Sequence, residues 1–309
     1  MTKADFLARL HSAAPGALLD ISADHATLHG CRPIETLNGP AAMAAGLYAP
    51  LAAALADLER RPAILLSGTF RDGEWFAHSG AFVGRFVMPL WGLAPSNRPH
   101  WLRYGQFDRL EQGRIVETYL ILDLPRLMIE TGQWPLRPPP GEEWFPAPAP
   151  QDGLDPDVRD GAQSLALVES MIAGLMRFDG QNLASMGMRD FWTPHFHWYG
   201  PGPIGSARGH EHYEATHQRP FLTAFPDRVG GNHKCRIGDG GYVASTGWPS
   251  INATHRGDGW LGQAATHRRI TMRVMDFWRR DAGLLAENWV FIDIPDLLAQ
   301  FGTDLGLKA

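Results

Sequence analysis

Cysteine is nearly absent: the 309-residue chain has two, Cys31 and Cys235. Their spacing offers neither a disulfide framework nor a zinc knuckle, so two thiols in a reducing compartment is the plain reading. Basic charge is not concentrated anywhere either. The net charge is −5 and no basic tract occurs, which argues against nucleic acid as a partner. No apolar run approaches the length of a membrane span, and the opening Met1–Phe6 lacks the apolar stretch of a signal peptide. These absences predict a soluble, cytoplasmic location with no membrane partner. A phosphate-cradling loop is lacking too. Gly200-Pro201-Gly202-Pro203 and Gly230-Gly231 read as turns, because no strand, glycine loop and helix surround them in that order.

What is present is a long internal repeat. Gly30, Pro33, Ile34, Gly39, Pro50 and Asp57 return as Gly200, Pro203, Ile204, Gly209, Pro220 and Asp227. Further on, Gly92, Phe107, Gly113, Glu117, Asp123, Pro125 and Gly132 return as Gly262, Phe277, Gly283, Glu287, Asp293, Pro295 and Gly302. Between these blocks the register slips by three and recovers, as it would if loops of different length joined the same elements. The period is too long for a solenoid and fits a duplicated domain. Residues 1–132 form the first expected domain, 133–160 a proline-rich linker, and 161–309 the second. Trp134, Trp144 and Phe145 are apolar for a free tether, so the linker is expected to lie against a domain.

Each half reads as helices followed by strands. Apolar residues Leu167, Met171, Ile172 and Leu175 predict a helix over 166–177, and a weaker one spans Lys3–Ala13. A second helix is expected after Gly39 and after Gly209. Segments 241–246, 267–277 and 284–292 read as strands, with hairpin turns at 111–113 and 281–283. A closing helix over 295–300 is stopped by Gly302. Helices and strands do not alternate, so the pattern is α+β rather than βαβ.

Gly283-Leu284-Leu285-Ala286-Glu287-Asn288-Trp289, Asp293 and Leu297-Leu298-Ala299-Gln300-Phe301-Gly302 together resemble the closing signature of SnoaL-type polyketide cyclases. Thr254-His255, Thr266-His267-Arg268-Arg269 and Ala224-Phe225-Pro226-Asp227 resemble other stretches of that family, so the likeness covers most of 165–303. It implies two cone-shaped nuclear transport factor 2-like domains, helices packed on a curved antiparallel sheet. The sheets of that superfamily often pair back to back, which predicts an intrachain pseudo-dimer, with a homodimer as the further step. The superfamily hosts cyclases, isomerases, dehydratases, hydrolases and non-catalytic binders, so the fold alone does not select a function.

Alternation along the last strand puts Glu287, Trp289, Phe291 and Asp293 on one face. An aromatic wall ending in a carboxylate suits removal of a proton α to a carbonyl, because desolvation raises the carboxyl pKa toward that of the carbon acid. The resemblance implies this general acid/base role for Asp293, with His255 assisting and without metal or organic cofactor. His197, Trp198, Tyr199, Trp248, Trp289 and Phe291 are the expected substrate-binding residues, and the expected ligand is a small apolar compound bearing carbonyl groups. Against this, Asp293-Ile294-Pro295 is equally what a helix N-terminus looks like. Eight of the thirteen histidines lie in the second half, yet their spacing completes no metal set that the sequence alone identifies. The first half carries Tyr119 and Ile121 for the aromatic pair and Arg85 for His255, so its pocket is expected to be degenerate.

Overall fold

The computed structural model describes residues 1–309 apart from 13, 15, 143–144 and 156–159. Ala13 and Trp144 therefore lie outside the described residues. Two compact units emerge, and they do not coincide with the boundaries at 132 and 161. One comprises Met1–Trp134, Ala147–Pro156 and Asp293–Ala309; the other comprises Pro135–Pro146 and Asp157–Ile292.

The first unit opens with helix α1 (Lys3–Leu10), started by a capping box in which Thr2 and Asp5 bond reciprocally. Strands follow as β1 (Ser22–Gly30), β2 (Thr36–Asn38), β3 (Leu55–Phe70), β4 (Gly73–Phe86), β5 (Pro99–Glu111) and β6 (Arg114–Leu122). They form one sheet in the order β2-β1-β6-β5-β4-β3. All pairs are antiparallel except β1 with β6, which is parallel. Helices α2 (Gly39–Met43) and α3 (Ala49–Ala54) bracket a π turn at Ala44–Tyr48. Pro50 explains that turn, because a proline cannot donate to the preceding turn and crowds its carbonyl. Helix α4 (Leu124–Glu130) closes the repeat. Phe6 stacks on Phe76 at 4.1 Å, within a core that includes Leu10, Leu18, Leu65 and Ile115.

The second unit begins with α5 (Gly161–Leu175), which buries Ser164, Val168 and Met171 at helical spacing. Its strands are β7 (Trp192–Tyr199), β8 (Ser206–Arg208), β9 (Val229–Gly230), β10 (His233–Asp239), β11 (Tyr242–Thr254), β12 (Arg269–Asp281) and β13 (Leu284–Ile292). Their order is β10-β11-β12-β13-β7-β8, with β9 on β11, and β13 pairs with β7 in parallel. Helices α6 (Gly209–Tyr213) and α7 (Arg219–Ala224) again bracket a π turn, Glu214–Gln218, ahead of Pro220.

Both units are thus α+β with mixed sheets. Local geometry follows the sequence closely. Gly302 has φ 98° just past α8 (Ile294–Phe301), and Gly283 has φ 89° in the β12–β13 turn. The linker is packed rather than free: Leu65 N–H donates to Gly153 at 2.7 Å, and Trp289 Nε1–H donates to Pro146 at 3.0 Å. No described helix is long and apolar enough to cross a membrane.

Candidate functional site

Strand β13 decides which residues face the interior. Asn288, Val290 and Ile292 line a cavity of about 240 Å³ in the second unit, together with Met272, Val274, Asp276 and Trp278 of β12. Phe196 and Trp198 of β7 and Met171 and Leu175 of α5 add apolar wall, while the π turn contributes His217 and Gln218. Five methionines border the space, which makes its wall polarisable and adaptable.

The polar groups in this cavity are few. Asp276 sits directly opposite Val290 across the β12–β13 ladder, half-buried, and accepts from the Asn288 amide at 3.3 Å. Burial pushes its carboxyl up to about 7, against partial relief from Asn288 and the Arg236 guanidinium. Asn288 also donates to the Phe277 carbonyl at 3.1 Å, so its orientation is held. Tyr213, on α6, has its hydroxyl pKa raised by burial and then by the Asp276 charge. His217 is pushed down to about 3 by burial, so its ring is uncharged at neutral pH.

The residues expected from the sequence are dispersed. Trp198 lines the cavity. His197, Tyr199, Trp289 and Phe291 lie together on the opposite face of the sheet. There the Tyr199 hydroxyl donates to Glu287 at 3.2 Å, Tyr199 stacks on Trp289, and Arg208 Nη1 donates to the His197 ring. Glu287 is also ion-paired with Arg279. Linker residues Phe145 and Pro146 cover this face, through an edge contact with Phe291 and the Trp289 hydrogen bond.

Asp293 lies in the other compact unit and does not line the cavity. It is the N-cap of α8, 1% exposed, accepting from Asp296 N–H at 3.2 Å and Arg32 N–H at 3.0 Å. His255 is buried just beyond β11, beside Phe225 and Thr266, and is not a cavity residue. Trp248 lies under the Arg273 guanidinium at 4.8 Å, likewise outside the cavity. Asp276, Asn288, Tyr213, His217 and Gln218 were not singled out as site residues by the sequence reading. The repeat did hold a signal, because the equivalent positions in the first half are Gln106, Thr118, Met43, Leu47 and Tyr48.

In the first unit those equivalent positions are closed by the protein's own side chains. Asp108, fully buried, accepts from His78 at 3.0 Å, Gln106 at 2.9 Å and Thr118 at 2.6 Å. His78 pairs with the Tyr104 hydroxyl at 3.2 Å, and buried Arg60 lies over the rings of Phe82 and Tyr104. Among the described residues, no group of three or more His, Cys, Asp or Glu is placed to hold a metal ion.

Residues 177–301 match the SnoaL-like polyketide cyclase family. This SnoaL-like segment contains β12 and β13 and hence the cavity floor. Among solved structures, AclR from Streptomyces galilaeus is 24% identical, with 46% of this chain and 82% of AclR covered at a TM-score of 0.37. IdmH from Streptomyces antibioticus is 24% identical, with coverage of 44% and 98% and a TM-score of 0.34. A nuclear transport factor 2-like protein from Burkholderia xenovorans LB400 is 15% identical, with coverage of 46% and 97% and a TM-score of 0.36. Comparison with curated proteins gives no match.

Proposed function

We propose that the SnoaL-like unit is a polyketide-cyclase-like, cofactor-independent acid/base catalyst for an uncharged, apolar compound bearing carbonyl groups. One observation carries this reading: a carboxyl raised to about 7 on the floor of an apolar cavity. Near neutral pH such a group is present both as base and as acid, which proton abstraction and return both require. Ionised Asp276 removes a proton from the carbon α to a carbonyl. The enolate oxygen takes a hydrogen bond from the Tyr213 hydroxyl. The enolate carbon then attacks a second carbonyl of the same molecule, forming a carbon–carbon bond. The resulting alkoxide recovers the proton from Asp276, so no net proton is consumed.

Asp276→Asn is expected to abolish ring closure of an aryl-substituted 1,5-diketone, while wild-type turnover rises through an apparent pKa near 7. Turnover retained by that variant would overturn the assignment. The methionine-rich wall favours a second reading, a ligand-binding protein without turnover. It predicts saturable binding of the same diketone with no product formed by the wild type.

A further inference from the structure

The two π turns occupy the same place in the repeat and differ in what they present to the interior. In the first unit the turn ends in Leu47 and Tyr48, both buried, and the Tyr48 hydroxyl accepts from Arg60 at 3.3 Å. In the second unit the corresponding residues are His217 and Gln218, and both line the cavity. His217 Nδ1 and Gln218 Nε2 are buried, and neither has a hydrogen-bond partner within the protein.

We propose that this π turn is a recognition subsite, in which the His217 imidazole and the Gln218 carboxamide bind carbonyl and hydroxyl oxygens of an uncharged ligand. A buried donor without a partner is costly, and a ligand oxygen would remove that cost. Gln218 Nε2 can only donate, so it calls for an acceptor such as a ketone oxygen. His217 Nδ1 donates to a carbonyl or accepts from a hydroxyl, according to tautomer. The ring is held in place by stacking on Trp198 at 4.1 Å and by Tyr213 beside it. Burial keeps this imidazole neutral across the physiological range, so it offers an anionic ligand no charge to pair with. Widening a helix by one residue is a common device where side chains must meet a ligand, and Pro220 supplies its cause here. The subsite rests on the cavity being a ligand site for oxygenated apolar compounds, though not on any turnover there. His217 and Gln218 are therefore specificity and positioning residues, separate from the proton transfer at Asp276.

Calorimetric titration of the full chain with 1-tetralone and with tetralin, which differ by one carbonyl oxygen, tests the subsite. The wild type is expected to prefer 1-tetralone by about tenfold or more, the scale of a satisfied buried donor. His217→Leu and Gln218→Leu should each shrink that preference to less than about threefold, with the loss falling on 1-tetralone rather than on tetralin. Imidazole ¹⁵N shifts give a second readout: Nδ1 of His217 should move on addition of 1-tetralone and stay put with tetralin. Equal affinity of the wild type for the two probes, parallel loss of both in the variants, or an unmoved Nδ1 resonance would each overturn the proposal. Because affinity is read without turnover, loss of the acid/base assignment would leave this result intact.

Discussion

Asp276 is half-buried and Asp293 fully buried near the end of the repeat, and their surroundings give them opposite effects on stability. Asp276 has its ionised form penalised, with a folded-state pKa of about 7 against an ordinary value of 3.8. Its charge therefore costs nothing below about pH 4, costs progressively more as pH rises toward 7, and costs in full above that. Asp276→Asn is expected to gain on the order of a few kcal/mol relative to wild type at pH 8, a gain that vanishes near pH 4. Urea denaturation at the two pH values measures it. Asp293, by contrast, serves two backbone N–H donors, of Asp296 and Arg32. Asp293→Ala should cost about 1–2 kcal/mol of stability through the lost cap. Titration of that variant with a cavity ligand should show unchanged affinity, since Asp293 is no part of the cavity wall.

At the scale of elements, the ladder between β12 and β13 shows what a pattern along one strand can and cannot convey. Alternation correctly grouped Glu287, Trp289 and Phe291 on one face and Asn288, Val290 and Ile292 on the other. It did not say which face meets the cavity, and the reason is physical. Both faces of β13 are buried, with Trp289 and Phe291 as inaccessible as Val290 and Ile292, so no polar face marks the outside. In the first unit the same ladder holds a polar cluster on β4, β5 and β6. Burial lowers the His78 pKa below its ordinary 6.5, although the Asp108 carboxylate pulls it back up. The contribution of the neutral ring is complete above pH 6.5 and is lost as pH falls below it. Asp108→Ala is expected to cost about 1–3 kcal/mol, because it leaves the buried, uncharged His78, Gln106 and Thr118 without their acceptor. A urea titration at pH 7.5 reads that cost, and wild-type unfolding should become easier at pH 5.

On the scale of the whole molecule, the chain's last 17 residues belong to the compact unit built mainly from the first repeat. Lys308 N–H donates to the Trp91 carbonyl at 3.0 Å, and Leu307 is 7% exposed. Gly92, at φ 94°, lies so close to Gly306 that an added Cβ would come within 2.6 Å of its carbonyl oxygen. Only glycine fits there on both counts. Removing residues 303–309 is expected to destabilise the first unit by about 2 kcal/mol or more, through the lost Leu307 side chain. Hydrogen exchange should show faster amide exchange around Trp91, with β12 and β13 unchanged. Faster exchange confined to β12 and β13 would contradict the division into these two units.

The internal repeat, the turns and the helix caps were legible in the sequence alone. Each rests on a few neighbouring residues: a glycine with positive φ, or an aspartate two residues before a proline. The tertiary structure decided which face of β13 encloses a cavity, that β1 and β7 pair in parallel with the last strand of their sheets, and that Asp293 caps a helix without lining that cavity. Those choices depend on what packs against each surface from distant parts of the chain. No local pattern encodes that when both faces of a strand are apolar.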